Sequence, residues 1–366
     1  MYGLKQAPRA WYAKIDGFLT KHGFRRSPNE PTLYIRTHGC MVLVSLYVDD
    51  LLVTGGNEKE VSNFKSELEL NFEMSSLGEM KYFLGIEVVQ SSKGIFISQE
   101  SYVKELLKKF DMEDCNSVAT PMNEGTKLVK DDDSPKVNPS IYRSLIGSLL
   151  YVCSTRPDIM FSVAVLSRFM HSPSQNHLSC AKRILRYLKG TSDFGIWYKD
   201  GMNEALLGYS DSDWAGSLDD SKSTSGYIYT LGNGPFSWNS KKQQTVAQST
   251  AEAEYIACSS CANQGVWLRK LLEDLSLKQE EAMVILCDNT SAIAIAQNPV
   301  QHGRTKHIPV KYHSLREFEA SGEVKLEYVT SEENLADIFT KPLGKKRFEI
   351  LRGLLNVSYK IAKEEC

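Results

Sequence analysis

The chain has 366 residues, of which 42% are hydrophobic and 24% charged, a composition typical of globular proteins with packed cores. Its formal net charge of −2 neither indicates nor excludes a nucleic-acid partner, and its length predicts roughly two to three domains. No apolar stretch is long enough to span a membrane, no leader pattern opens the sequence, and the eight cysteines are scattered. These features argue against a membrane protein and against a disulfide-stabilised secreted domain.

The first 110 residues alternate apolar runs with helical patterns. Apolar runs predict strands at residues 41–46 and 82–89, and apolar spacing predicts a helix over residues 57–72. Asp49 and Asp50 lie between two apolar runs, which predicts the tight turn of a β-hairpin. An ordinary Asp-Asp turn and a functional pair of acids both fit that pattern.

Residues 111–140 differ from their surroundings in composition. They contain seven acids, three of them consecutive at residues 131–133, and three prolines. Acidic stretches interrupted by proline disfavour regular secondary structure, so we interpret this segment as an extended linker.

Residues 141–200 have the apolar spacing of helices and are a predicted helical connection. The last of these helices carries a basic face, for which two interpretations exist: a solvated surface, or a surface that contacts nucleic acid. We favour contact with the phosphate backbone, because this helix leads directly into the next domain. The basic side chains are Lys182, Arg183, Arg186 and Lys189.

Residues 201–345 predict a further domain. Three consecutive strands are followed by a long helix and then by alternating strands and helices, which predicts a mixed five-stranded sheet with flanking helices. We expect the whole chain to be α/β and α+β, with residues 346–366 as a C-terminal tail. The strands are expected at 205–211, 225–231, 236–241, 282–288 and 323–329, and the helices at 249–275, 290–297, 311–320 and 334–340.

Four carboxylates fall where this sheet would bring them to one edge. Asp211 closes the first strand and Asp288 ends a buried strand, whereas Glu254 lies in the long helix and Asp337 opens the last one. Carboxylates held close together cannot all stay ionised without cations between them. Two oxygen-ligated divalent ions would resolve that conflict and could catalyse a phosphodiester displacement, which points to a nuclease. Taken singly, each carboxylate also fits a solvated charge or a helix cap.

Two local patterns leave alternatives open. Glu252 and Glu254 are two residues apart on one helix and point about 200° apart, so only one can face the site, and geometry does not choose between them. Cys258 and Cys261 have the spacing of zinc ligands, but they lie within a helix and have no second pair, so packing is the better interpretation.

Long motifs run through nearly the whole chain. They are LKQAPRAWY (residues 4–12), YVDD (47–50), EMKYFLGIE (79–87), YRSLIGSLLY (142–151), YSDSDWAG (209–216), AEAEYIA (251–257), CDN (287–289) and NLAD (334–337). Together they resemble the Pol polyprotein of copia-type LTR retrotransposons, in the C-terminal part of its reverse transcriptase and in the ribonuclease H that follows. The resemblance covers roughly residues 2–355.

The resemblance implies a ribonuclease H that hydrolyses the RNA strand of RNA–DNA hybrids. It implies two Mg²⁺ ions as cofactors, with Mn²⁺ as a substitute, and other products of the retroelement polyprotein as further partners. A cytoplasmic location is expected, in a virus-like particle if the element is active, or alternatively a nuclear one. The catalytic and metal-binding residues that the resemblance implies are Asp211, Glu254, Asp288 and Asp337, with Glu252 as the fallback for Glu254.

In the reverse transcriptase part, the resemblance implies that Asp49 and Asp50 are the acids of the palm hairpin. Gln6, with Lys5 and Arg9 nearby, matches the segment that lines the nucleotide pocket and the template. The family has a further palm aspartate and the fingers upstream of this motif. We therefore expect residues 1–110 to be a partial palm and thumb that does not synthesise DNA.

The sequence departs from the family pattern at Pro309, and two rival hypotheses also fit it. Pro309 stands where the family usually has an acid. The nearby His307 is a candidate nucleic-acid contact, although a plain surface histidine is the favoured interpretation. The first rival hypothesis is a non-catalytic retroelement remnant or nucleic-acid-binding module. The second is polymerase activity in which another chain donates the missing aspartate.

Overall fold

Buried and partly exposed side chains alternate along residues 42–46, and this period of two forms a strand with one buried face. The structure, a computed structural model, describes residues 5–199, 205–232, 234–298 and 308–360. The chain divides into two compact units, Met1–Glu79 with Trp267–Glu280, and Met80–Val266 with Glu281–Cys366.

Helices and strands are numbered here in chain order over the described residues. The helices are α1 (Ala7–Lys21), α2 (Glu58–Asn71), α3 (Glu100–Lys109), α4 (Pro139–Val152), α5 (Met160–Ser167), α6 (Gln175–Lys189), α7 (Thr250–Asp274), α8 (Thr290–Gln297), α9 (Ser314–Ala320) and α10 (Lys345–Leu354). The strands are β1 (Arg25–Arg26), β2 (Leu33–Arg36), β3 (Val42–Tyr47), β4 (Asp50–Gly55), β5 (Tyr82–Phe83), β6 (Ile86–Ser91), β7 (Gly94–Ser98), β8 (Phe194–Tyr198), β9 (Leu206–Asp213), β10 (Thr224–Leu231), β11 (Gly234–Lys242), β12 (Met283–Cys287), β13 (Val324–Tyr328) and β14 (Val357–Tyr359).

The first unit contains an antiparallel sheet with the strand order β1-β2-β3-β4. Ile15 of α1 and Phe64 of α2 belong to one buried apolar core with Val44 of β3, so both helices pack on this sheet. Helix α2 begins where the sequence predicts it, because the Asn57 side chain accepts hydrogen bonds from the first-turn N–H groups of Lys59 and Glu60.

The second unit contains a five-stranded sheet with the order β11-β10-β9-β12-β13. Strands β9, β10 and β11 are antiparallel neighbours, whereas β12 runs parallel to both β9 and β13. This is the mixed ribonuclease H-like sheet that the sequence predicts, and the predicted α/β and α+β class is confirmed.

A second sheet in the same unit joins distant parts of the chain. Its order is β14-β8-β7-β6-β5, and Ile196 of β8 pairs with Ile97 on one side and Val357 on the other. The single strand predicted at residues 82–89 is interrupted by a turn at Leu84 and Gly85, whose φ angles are 50° and 79°. Residues 82–98 and 357–359 thus form one sheet with β8, which lies in the predicted helical connection. This sheet crosses the domain boundaries that local sequence patterns predict.

The predicted linker lies along α6 as an ordered segment. Residues 111–138 contain an isolated bridge from Lys136 to Ser174 and otherwise no described helix or strand. Two arginines of α6 hold the segment: Arg186 Nε donates to the carbonyl oxygen of Asn116 at 2.7 Å, and Arg183 donates to Thr120 Oγ1 at 3.0 Å.

His177 fixes the far end of this segment. Its ring is fully buried and stacks on Phe169 with ring centroids 3.9 Å apart. Its Nδ1 accepts the backbone N–H of Ser174 at 3.0 Å, so Nε2 carries the proton and donates to the carbonyl oxygen of Val129, also at 3.0 Å. Burial lowers the pKa of His177 below its ordinary value of 6.5, although nearby Asp132 acts in the opposite direction.

We expect acidification to loosen the linker from α6. Because the folded chain disfavours protonated His177, its contribution to stability is complete above pH 6.5 and is lost as the pH falls through the lower folded pKa. The melting temperature between pH 7.5 and about 5 should fall more steeply in the wild type than in His177→Phe, which keeps the ring stacking and cannot titrate. Equal slopes in the two proteins would contradict this role.

Candidate active site

Asp211 lies on β9, the central strand of the mixed sheet, and is only 2% exposed. Its carboxylate accepts a short hydrogen bond from Thr340 Oγ1, and the Lys341 Nζ lies 3.7 Å from Oδ2. On the neighbouring strand β10, Gly226 lies directly opposite Asp211. A Cβ at Gly226 would come within 2.7 Å of Phe339 and Thr340, so the glycine permits the C-terminal segment to pack closely over this point of the sheet.

Asp337 reaches the same place from a 3₁₀ turn, Leu335–Phe339, where the sequence predicts a helix. Asn334 fixes this turn from both sides. Its side-chain oxygen accepts the N–H of Ala336 at 3.0 Å, and its Nδ2 donates at 3.0 Å to the carbonyl oxygen of Ser210, beside Asp211. The anchored turn presents Asp337, itself 6% exposed, to the β9 carboxylate.

Asp288 arrives at the site through the parallel pairing of β12 with β9. Cys287, the last residue of β12, pairs with Ser210, so Asp288 and Asp211 follow side by side on adjacent strands. Asp288 is half-buried, and its Oδ2 accepts a hydrogen bond of 2.7 Å from Ser331 Oγ.

Glu254 and Glu252 are both buried, but they have different surroundings. Glu254 Oε1 accepts the backbone N–H of Ser212 on β9 at 3.0 Å, whereas its buried Oε2 has no hydrogen-bond partner among the described residues. Glu252 Oε2 accepts the N–H of Gln248 at 2.7 Å, and the Glu252 N–H donates to Ser249 Oγ, so both groups of Glu252 bind residues just before the start of α7. The structure therefore places Glu254 at the site and Glu252 at the start of α7.

The carboxylates belong to two overlapping groups of possible metal ligands, one of which also contains the thiol sulfur of Cys287. Carboxylate oxygens of Asp211, Asp288 and Asp337 lie within 4.8 Å of one another. Ligand atoms of Glu254, Cys287 and Asp288 lie equally close together, so Asp288 belongs to both groups. The carboxylate oxygens of these groups are hard donors and fit divalent cations such as Mg²⁺, whereas the sulfur of Cys287 does not suit such ions.

Burial and the neighbouring acids disfavour the ionised forms of two carboxylates of the cluster. Burial, together with the charges of Asp337 and Asp288, raises the pKa of Asp211 to about 6 despite the nearby Lys341. Burial and the charge of Asp211 raise the pKa of Glu254 well above its ordinary value. The unpartnered Glu254 Oε2 and these raised pKa values both fit a site that holds cations between its acids.

Two cations of the chain partly offset the acids. Lys341 Nζ lies 2.8 Å from Asp337 Oδ1, and Arg347 Nη2 lies 3.2 Å from Asp337 Oδ2. Burial lowers the pKa of Lys341, but the carboxylates of Asp211 and Asp337 outweigh it, so the net shift is upward. Neither cation is among the residues predicted from the sequence, although the spacing of four residues from Asp337 to Lys341 is a usable signal.

The predicted polymerase residues lie in the first unit. Asp49 and Asp50 lie at the exposed turn between β3 and β4, next to Val48, which has a φ of 51°. The Trp11 Nε1 of α1 donates to the carbonyl oxygen of Val48 at 2.6 Å, so the first half of α1 lies beside this turn. At the start of α1, the exposed predicted residues are Lys5, Gln6 and Arg9.

The predicted nucleic-acid contacts have different surroundings. Arg183 and Arg186 are partly buried and hold the linker, whereas Lys182 and Lys189 on the same helix are exposed. His307 lies outside the described residues. Among the helices of the described chain, none has the length and apolar character needed to cross a membrane.

Comparison with known proteins gives matches over the whole chain. Residues 1–124 match the family model of reverse transcriptase (RNA-dependent DNA polymerase). The chain is 40% identical over 359 residues to the retrovirus-related Pol polyprotein from transposon RE1 of Arabidopsis thaliana, which covers 98% of this chain and 24% of that protein. It is 36% identical over 263 residues to a putative transposon Ty5-1 protein of Saccharomyces cerevisiae, which covers 71% of this chain and 85% of that protein.

Among solved structures, RNase H1 from the archaeon Halobacterium salinarum matches 37% of this chain and 94% of its own, at 14% identity and a TM-score of 0.25. The chain spans about a quarter of the length of the RE1 polyprotein.

Proposed function

Because this chain belongs to the Pol polyproteins of copia-type retrotransposons, we propose that its second unit hydrolyses the RNA strand of RNA–DNA hybrids by two-metal catalysis. The observation that carries the proposal is the meeting of four carboxylates from β9, α7, β12 and the 3₁₀ turn at one place. Those carboxylates are Asp211, Glu254, Asp288 and Asp337.

The four carboxylates would bind the two ions jointly. Asp288 belongs to both groups of ligand atoms, and Asp211 links the groups electrostatically, since its charge raises the pKa of Glu254. When bound, two Mg²⁺ ions, or Mn²⁺ in their place, would activate the attacking water and stabilise the leaving 3′ oxygen. Recognition of 2′-hydroxyl groups would restrict cleavage to the RNA strand.

The surrounding residues position these ligands. Asn334 ties the turn that carries Asp337 to β9, and the Ser212 N–H orients Glu254. Lys341 and Arg347 bind the two oxygens of the Asp337 carboxylate and fix its plane. In this arrangement the ligands are placed before cations bind, which lowers the cost of ordering them during the reaction.

Asp288→Asn should abolish cleavage of a labelled RNA–DNA hybrid by the purified chain. The substitution removes one ligand charge from both groups, and we expect a loss of roughly 1,000-fold or more in rate. Because Asp288 is half-buried and an amide still accepts the Ser331 hydrogen bond, the fold should be retained. The assay compares Mg²⁺ with EDTA, and cleavage by the variant at the wild-type rate would contradict the assignment.

The pair Glu252 and Glu254 offers a matched control on one helix. Glu254→Gln should be as inactive as Asp288→Asn, whereas Glu252→Gln should keep most of its hydrolysis, because Glu252 binds the cap of α7. If Glu252→Gln were inactive and Glu254→Gln active, Glu252 would be the metal ligand on the helix. A folded wild-type chain that binds hybrid without Mg²⁺-dependent cleavage would instead support a non-catalytic binding module.

A further inference from the structure

A cavity of about 260 Å³ lies between the linker, α5 and the mixed sheet, and we name it the linker pocket. Its wall combines apolar side chains, among them Met122 of the linker and Phe161 of α5, with charged ones. Because Met122 and Phe161 are buried, the linker closes one side of the pocket as an integral part of the unit.

Positive charge dominates the linker pocket. Five cations and two carboxylates line it, a net formal charge of +3 in a chain whose total is −2. Such a concentration of one sign in a partly apolar recess attracts an anion. The cations are Lys127, Lys130, Arg168, Lys242 and Lys341, and the carboxylates are Asp213 and Asp219.

Two of these cations are neutralised within the chain, and three are not. Lys242 Nζ lies 2.6 Å from Asp220, and Lys341 Nζ lies 2.8 Å from Asp337. The other three, Lys127, Lys130 and Arg168, have no ion pair within 4.0 Å among the described residues. An external anion would therefore find unpaired cations in the linker pocket.

Arg168 is the most informative of the three. It is half-buried, and the one side-chain hydrogen bond it makes within the described chain is to Thr224 Oγ1, at 2.9 Å. Burial lowers its pKa below the ordinary value of 12.5, even though Asp220 and Asp213 oppose that shift. Because no carboxylate of the described residues lies within ion-pair distance of Arg168, its remaining donors are available for a multidentate acceptor, and phosphate is such an acceptor.

The linker pocket also adjoins the carboxylate site. Lys341 lines the pocket and contacts both Asp337 and Asp211. Lys341 also lines a neighbouring groove of about 560 Å³, together with Lys345 and Lys346 at the start of α10. Cations in the first turn of a helix oppose its dipole, which is unfavourable unless they serve another partner.

We propose that the linker pocket binds a phosphate of the sugar–phosphate backbone of the hybrid, so that the linker is part of the substrate-binding surface. The identity of the polymer rests on the proposed function, but the binding itself does not require hydrolysis. Continuity through Lys341 means that one backbone could pass from the pocket to the acids.

The first test measures hybrid binding in the Asp288→Asn background, with EDTA, as a function of salt. The double variant Lys127→Ala/Lys130→Ala should bind about five- to tenfold more weakly and should flatten the slope of log K against log salt by about 1 to 2. Both lysines are exposed, so folding should be unaffected. The matched control Lys108→Ala/Lys199→Ala removes the same charge from exposed positions outside the pocket. Equal affinities in the two double variants would overturn the proposal.

A second variant, Arg168→Met, separates binding from a structural role. If Arg168 binds the ligand, the variant should lose hybrid affinity. Its melting temperature should not fall, because the variant no longer places an unpaired charge in a partly buried position. A fall in melting temperature with unchanged affinity would assign Arg168 to structure and overturn the proposal. Stabilisation of the wild type by inorganic phosphate, with hybrid affinity unchanged in Arg168→Met, would indicate a small-anion site and overturn it equally.

These outcomes are distinguishable from failure of the proposed function. If the wild-type chain does not cleave but its hybrid binding depends on Lys127 and Lys130, the linker pocket is a phosphate site and the catalytic assignment is wrong. If the chain cleaves and its pocket variants bind the hybrid like the control, the catalytic assignment is correct and the proposed phosphate site is wrong.

Discussion

Asp211→Asn is expected to abolish metal-dependent hydrolysis and, at the same time, to raise the melting temperature of the metal-free chain. The first effect follows from the proposed role of Asp211 as a central ligand, with a loss of roughly 1,000-fold or more. The second follows from the crowding of buried acids around it. A rise in the pKa of Asp211 from 3.8 to about 6 corresponds to about 3 kcal/mol of penalty for keeping it ionised in the fold.

The net gain in stability should be smaller than that penalty. Asparagine keeps an acceptor for Thr340, but it loses the attraction of Lys341. We therefore expect the variant to gain about 1–2 kcal/mol without metal, or a few degrees in melting temperature.

Divalent cations should reverse the order of melting temperature of the wild type and Asp211→Asn. Saturating Mg²⁺ should raise the melting temperature of the wild type, because the ions bind the folded state alone, and should raise that of Asp211→Asn much less. Thermal denaturation in EDTA and in Mg²⁺ measures both effects. A variant that melts below the wild type in EDTA would show that the acids do not repel one another in the metal-free fold.

The second large effect is expected at a buried ion pair outside the site. Arg156 and Asp158 are about 1–2% exposed, and Arg156 Nε and Nη2 donate to the two oxygens of Asp158 at 3.0 and 2.8 Å. Arg156 also donates to the carbonyl oxygen of Thr191 at 2.7 Å, and the Tyr187 hydroxyl donates to Asp158 at 2.6 Å. Arg352 of α10 donates to that hydroxyl at 3.0 Å, so the network joins α10 to α6.

Asp158→Asn should lower the free energy of unfolding by about 3–5 kcal/mol, because it leaves a buried guanidinium without a counter-charge. Urea denaturation measures this loss. The double variant Arg156→Met/Asp158→Leu removes both charges and should be clearly more stable than the single variant, since buried pairs are often replaceable by apolar residues. A double variant that is less stable than Asp158→Asn would mean that the hydrogen bonds of Arg156, and not its charge, dominate.

Much of the mixed sheet could be predicted from local patterns. Residues 282–288 are a continuous apolar run that ends in an acid, and the structure has β12 there with Asp288 after it. Since β12 is parallel to β9 and Cys287 pairs with Ser210, Asp288 lies beside Asp211 within β9. The choice between Glu252 and Glu254 could not be made locally, because it depends on which carboxylate meets the N–H of Ser212, a residue 42 positions before Glu254.

Other features left no local signal. The pairing of Ile97 with Ile196 joins strands about 100 residues apart, and apolar periodicity carries no information on the partner of a strand. The 3₁₀ turn at Asp337 resembles a helix in sequence, and it is tightened by Asn334 and by packing over Gly226. Arg168 meets Thr224, a residue 56 positions later, so its surroundings could be known only from the structure.

The position of β14 has a consequence for synthesis of the chain. Val357 pairs with Ile196, so the edge of β8 stays unpaired while about 160 further residues are translated. At ordinary elongation rates this interval is roughly 8–30 s, long compared with the folding of the helices around it. An uncovered β-edge is a site of intermolecular pairing. A ribosome that terminates before Val357 would therefore release a chain with an open sheet, which a cell would treat as a substrate for chaperones and proteases.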